Sequence, residues 1–320
     1  MKLPFPFAGR VAATLLLSTL AAVAASAAPF AYVPNEGSGT LSIIDIASDQ
    51  VVGDIAAGKK PRGIVISQDG RTAYVSDQTS NQLVLIDLVG RKPAGQIELG
   101  ESPEGVGISP DGRWVVAAVE ESNDVAFVDT ATNRKAFVVK VRGKNPEHAV
   151  FSPDGKHVLV SAEEGDAVDV IDVARREQVA QVPVGARPRG IGFSPDARVA
   201  YVAAENANEV YFIDAATFKV LKKIKAGLRS NGIAVHPDGR RVFVSNGGDS
   251  TVSVIDAGTG TITATIAVGQ RPWNMALTAD GKKLYVACGR SGTVSVIDTD
   301  RAVKLKDIAV GKLPWGVAFR

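Results

Sequence analysis

Phe243-Val244-Ser245-Asn246, a short polar link, then Val252-Ser253-Val254-Ile255-Asp256: this stretch decides the fold. Alternation of apolar and small polar residues is the period of a strand, and the polar link between the two runs makes them an antiparallel pair. Working outward, His236-Pro237-Asp238-Gly239 precedes the pair, Ile262-Thr263-Ala264-Thr265-Ile266 follows it, and Arg271-Pro272 leads into the next unit. Pro presets φ, Asp bonds its own backbone and Gly takes a positive φ, so the first motif is a hairpin turn. Relatives of it recur at 67–70, 109–112, 152–155, 194–197 and 278–281. The closing Asp returns as Asp45, Asp87, Asp129, Asp172, Asp214, Asp256 and Asp298. A period of this length with four strands per unit and no helical periodicity predicts an all-β, seven-bladed β-propeller of four-stranded antiparallel blades.

The ends of the chain predict how the ring closes. One period before Tyr74 lies Tyr32, so the N-terminal blade starts at its second strand, while Trp315–Phe319 reads as a first strand with nothing after it. Pairing the two completes the last blade and removes open edges. Residues 28–320 are therefore read as one domain. Residues 1–27 are read as a signal peptide: Lys2 and Arg10 precede an Ala- and Leu-rich run, Val11 to Ala25, too short for a membrane span, and Ala25-Ser26-Ala27 fits the small-x-small cleavage rule. The expected location is the periplasm or the extracellular medium.

Charge and composition exclude several classes. The whole chain has a formal net charge of +2, and cleavage would remove two cations and no acid. A chain so balanced has no basic stripe for nucleic acid. A lone cysteine, Cys288, forbids an intrachain disulfide and reads as a buried thiol. Motifs for covalent haem, zinc peptidases and the serine-hydrolase elbow are missing, and the Gly-x-Gly pairs at Gly105/Gly107 and Gly190/Gly192 lack the context of a dinucleotide site. His148, His157 and His236 fall at different repeat positions and cannot form a ring of metal ligands. The seven aspartates are read as turn formers rather than a metal belt. No catalytic and no metal-binding residue is assigned.

Function is sought where the repeats disagree. Just after the link proline the same repeat position reads Arg62, Glu104, Glu147, Arg189, Asn231, Trp273 and Trp315. The next position is Gly in five blades, but His148 and Asn274 in the others. Loops on the same face add Glu36, Glu120, Glu163 and Glu205. One reading makes these neighbouring-blade pairs, Arg62 with Glu104 and Arg189 with Glu147, exposed and worth about 0 to 1 kcal/mol each, with Trp273 and Trp315 plugging the channel. The other makes them a ligand or partner face, with Arg holding an anion and Trp a flat apolar group.

The repeat Tyr-Val-Ser-Asn, Val-Ser-Val-Ile-Asp, Val-Gly-x-x-Pro resembles the YVTN β-propeller repeat over nearly all of the chain beyond residue 27. The segments 32–40, Lys60-Pro61-Arg62-Gly63-Ile64, Pro103-Glu104-Gly105 and 311–318 resemble periplasmic propellers associated with PQQ-dependent alcohol catabolism. That resemblance implies a non-enzymatic accessory protein whose partner is a quinoprotein dehydrogenase, a c-type cytochrome or an ABC transport component. No cofactor is expected, although PQQ is kept as a ligand for the two mouth tryptophans. The alternative is a lactonase-like hydrolase using the mouth carboxylates, since propellers of similar repeat type include lactonases. An inert scaffold is the third reading.

Overall fold

The computed structural model describes Met1 and residues 30–320. The signal-peptide reading falls outside the described residues. Seven four-stranded antiparallel sheets follow one another along the chain. Blade 1 holds Phe30–Asn35, Thr40–Asp45 and Gln50–Ala56, and blades 2 to 7 begin at Pro61, Pro103, Pro146, Pro188, Ser230 and Pro272. Among the described residues no helix is long and apolar enough to cross a membrane.

Burial explains why the sequence reads as it does. Second and third strands are sandwiched between neighbouring blades, so Tyr74–Asp77 and Leu83–Ile86 are buried on both faces. Fourth strands lie at the rim and are mostly exposed, with one buried residue near the end of each except Val220–Lys225. The apolar clusters therefore form between blades: Tyr32, Leu41 and Ile43 of blade 1 pack on Ala73, Val75 and Ile86 of blade 2.

Both turn motifs act as the sequence predicts. In the hairpins, Ser67 Oγ donates to Asp69 Oδ1 and Gly70 N to Ser67 O, with Gly70 at φ 68°. Ala197 holds the same turn at φ 59° without the freedom of glycine. All seven repeat aspartates accept a backbone N–H two or three residues ahead, from Ser48 on Asp45 to Arg301 on Asp298. They are turn caps.

The last strand pairs with the first, giving blade 1 the order Ala318–Phe319, Phe30–Asn35, Thr40–Asp45, Gln50–Ala56. Regular pairing is shorter than the expected 315–319. Pro314 bridges Asn35, Trp315 N donates to Pro34 O, and the ladder resumes only at Ala318. The interruption follows the proline, as in other first strands. A second clasp lies on the opposite face, where Lys283 and Tyr285 of blade 7 both bond Asp49 of blade 1.

Candidate functional site at the channel mouth

First strands reach the mouth through a shared irregularity. Pro61 pairs with Asp77, but the next regular pair is Ile64 with Val75, so Arg62 and Gly63 fall out of register. The same shift follows Pro103, Pro188, Ser230 and Pro272, and a shorter one follows Pro146. A bulge of this kind re-aims a side chain. Here it places residues 62, 104, 147, 189, 231, 273 and 315 around one opening. Four of the glycines at the following position, Gly63, Gly105, Gly190 and Gly232, answer a second demand. A Cβ on Gly105 would stand 2.7 Å from Glu147 O, and one on Gly232 2.4 Å from Trp273 O. Innermost strands are too close for side chains at these positions.

His148 and Asn274 break that rule, and both contact Trp315. The His148 ring stacks on Trp315 with centroids 5.3 Å apart and planes at 18°. Asn274 N donates to Trp315 O at 3.3 Å. Of the two tryptophans read as a plug, Trp315 thus stacks on His148. Trp273 instead covers Gly289 and forms a wall of the cavity above. Neither ring nitrogen of His148 has a hydrogen-bond partner, and burial lowers its pKa, against the charge of Glu147, so the ring is neutral.

The cavity at the mouth measures about 270 Å³. Its lining includes Arg62, Glu147, Arg189, Asn231, Trp273, Asn274 and Trp315 from the first strands, and Glu36, Glu120 and Glu163 from the loops. Glu104, His148 and Glu205 are not in its wall. Glu104 and Glu205 are fully buried, each held by arginine. Arg187 and Arg271 join the lining, Arg229 stands behind them on Glu205, and sequence reasoning missed all three. The signal was present: the residue just before the first strand is Arg in blades 5, 6 and 7, at φ 62°, 57° and 55°.

Charge is divided across the opening. On one side Arg62 bonds Glu36 at 3.2 Å and also Glu104, while carboxylate oxygens of Glu104, Glu120 and Glu147 converge within 4.8 Å. On the other, Glu205 receives four guanidiniums. Arg189 and Arg187 approach Oε2 at 3.0 and 3.1 Å, and Arg271 and Arg229 donate to Oε1 at 2.7 and 2.8 Å. The neighbouring-blade pairs Arg62–Glu104 and Arg189–Glu147 both form, but the expectation that they are exposed is corrected, since side-chain exposure is 0% for Glu104 and 4% for Glu147. Closure of the ring buries them.

These positions set the protonation states. Burial and the charge of Glu147 push Glu104 well above the carboxylate range, outweighing Arg62. Burial, with Glu147 adding to it against Arg189 and Arg187, raises Glu163 to about 7. Arg189 Nη1 joins Glu147 to Glu163, and Glu147 stays low because Arg189 and Arg62 outweigh its burial. Glu205 is held at about 2: burial opposes this, and Arg189 and Arg271 prevail. Burial, then the repulsion of Arg229 and Arg189, lowers Arg271. The mouth thus sets carboxyls shifted toward protonation beside carboxylates held ionised by guanidinium.

Known proteins are similar to this chain chiefly in fold. A subunit of Kuenenia stuttgartiensis hydrazine synthase superposes with a TM-score of 0.78 at 22% identity, over 84% of this chain and 92% of that one. A functionally unknown protein from Desulfotomaculum acetoxidans DSM 771 gives 0.80 at 19% identity, over 91% of this chain and 98% of that one. No curated protein matches. The sequence model described as "Lactonase, 7-bladed beta-propeller" matches residues 29–138 and 142–309. With most of its length covered, the chain belongs to the seven-bladed β-propeller lactonase family.

Proposed function

We propose that the mouth is a binding site for a small carboxylate carried on a ring, with the anion held by the arginines around Glu205 and the ring set against Trp273. One observation carries this reading: Arg229 and Arg271 share a single carboxylate oxygen, Glu205 Oε1, within a group of four guanidiniums on one carboxylate. Arg187 and Arg189 also pair with Glu163 and Glu147, but Arg229 and Arg271 have only Glu205 among the described residues, and a ligand carboxylate at Arg271 adds charge-assisted bonds there. Arg62, the anion-binding residue expected from sequence, is a poorer candidate because Glu36 and Glu104 already occupy it. The cavity is at the small end of ligand sites. It suits a single ring better than the tricyclic PQQ, so PQQ and a quinoprotein context take second place among ligands. A periplasmic location and an accessory partner stay part of the proposal only through the leader-like N-terminus and the YVTN-like repeats.

Family membership favours a second reading, in which the bound carboxylate is a lactone and is opened. The Glu120 carboxylate lines the cavity, accepts from Ser102 Oγ at 2.8 Å and makes no ion pair among the described residues. It would take a proton from water as that oxygen adds to the lactone carbonyl. Glu163 would return a proton to the ring oxygen as the ring C–O bond breaks.

Calorimetric titration with tetrahydro-2-furoate, other one-ring carboxylates and PQQ tests the binding reading. Saturable binding should weaken by about 10-fold or more in Arg271→Ala, the loss expected for one charge-assisted hydrogen bond. No binding by any member of the panel refutes it. A panel of carboxylated lactones assayed for acid release tests turnover, and activity unchanged in Glu120→Gln removes that residue from the mechanism.

A further inference from the structure

Arg187 stands between two carboxylates that hold their charge differently. It bonds Glu163 on one side and approaches Glu205 at 3.1 Å on the other, and at 35% exposure it is more accessible than Arg189 or Arg271. Glu163 in turn shares a guanidinium nitrogen, Arg189 Nη1, with Glu147. We propose that the mouth binds its anion together with a proton: a ligand carboxylate takes Arg187, and the Glu147–Glu163 pair, left with less positive charge, takes up H⁺. This rests on the anion-binding reading above and adds the chemical form in which the ligand is accepted.

The charged surroundings of Glu163 fix the direction of this coupling. From its own blade it meets Glu147 and the neutral His148, with Lys144 and Glu164 exposed on the flanking loops. From the next blade come Arg187, and Arg189 at 3.0 Å, with Glu205 behind them. The preceding blade contributes Glu104 and Glu120, which converge on Glu147. Within this set only the two arginines hold the Glu163 proton off. When a ligand draws one of them away and brings its own negative charge, both changes favour the protonated carboxyl. A group whose pKa is higher in the complex than in the free protein strengthens binding below the free value. That gain is lost as pH rises through the higher one. Glu163 has a free value of about 7, so the coupling operates from neutrality upward.

Tetrahydro-2-furoate is a suitable probe because it carries no proton of its own from pH 6 to 9. Titrations at pH 7 in the cationic buffers Bis-Tris, imidazole and Tris separate buffer ionisation from binding heat. The expected result is uptake of about half a proton per ligand, with affinity falling several-fold between pH 7 and pH 9. Glu163→Gln, which keeps the shape of the side chain but cannot titrate, should bind with no proton uptake and unchanged affinity over that range. Wild-type binding with the same heat in all three buffers overturns the coupling and leaves the anion site standing. Persistence of the uptake in Glu163→Gln overturns the assignment to this residue, and no saturable binding in any buffer overturns both readings.

Discussion

Glu205→Gln isolates the contribution of one carboxylate to the arginine cluster beside the mouth cavity. The side chain is fully buried and keeps its shape in the substitution, while the four guanidiniums lose their common counter-charge. Depression of Glu205 from the usual 4.5 to about 2 corresponds, at about 1.4 kcal/mol for each pH unit, to about 3 kcal/mol of stability near neutrality. The cost of breaking a buried ion pair, about 3 to 5 kcal/mol, agrees. For a domain of this length that lowers the melting temperature by about 5 °C. The pH dependence follows from the sign of the shift. A depressed carboxylate stabilises the fold above its unfolded pKa, and the effect fades as pH falls through its folded one. The difference between wild type and variant should therefore be full at pH 7 and shrink to less than about half at pH 3. Guanidinium-chloride denaturation of both proteins at the two pH values measures it. A difference under about 1 kcal/mol at pH 7, or one equal at pH 7 and pH 3, refutes the claim that Glu205 organises the cluster electrostatically.

Three further outcomes are expected. Ala197→Gly should raise stability by about 1 kcal/mol, because Ala197 occupies φ 59° where five other hairpins carry glycine; a loss in thermal denaturation would contradict this. Gly232→Ala should destabilise by about 1 to 3 kcal/mol, since its Cβ would stand 2.4 Å from a backbone oxygen that cannot move alone, and an unchanged melting temperature would show that first strands shift freely. Removal of residues 315–320 strips the strand beside Phe30–Asn35 along with the Trp315 stack on His148, and should produce oligomers in size-exclusion chromatography through the open edge. A monomer of unaltered stability would mean that the Asp49 clasp closes the ring by itself.

The repeat made the fold legible because each blade solves the same problem with the same residues. Strands buried between neighbours need alternation without charge, and their turns need Pro, Asp and Gly in a fixed order, so seven copies average out the exceptions. Ala197 shows how much exception is tolerated, since the turn keeps its conformation without the glycine. The mouth is the reverse case. Its positions were legible as a ring, because the bulge after each first-strand proline recurs and delivers residues 62 to 315 to one opening. Their pairing was only half legible. Neighbouring blades give Arg62–Glu104 and Arg189–Glu147, but the reach of Arg271 to Glu205 spans two blades and depends on side-chain length rather than repeat position.

Burial was the least legible property, and it changes the chemistry most. A ring of opposite charges looks exposed in sequence and is worth little there. Once Glu104, Glu147 and Glu205 are out of water, burial pushes the first toward protonation, while neighbouring arginines hold the other two ionised. His148 makes the point at a single position. In sequence it is one of three unrelated histidines. In the fold it stands where five blades keep glycine, and its ring stacks on Trp315, which lines the charged cavity. Departure from glycine at this position is therefore the better guide to a propeller's mouth than residue type, and by that criterion Asn274, the other departure, also bonds Trp315 and lines the cavity.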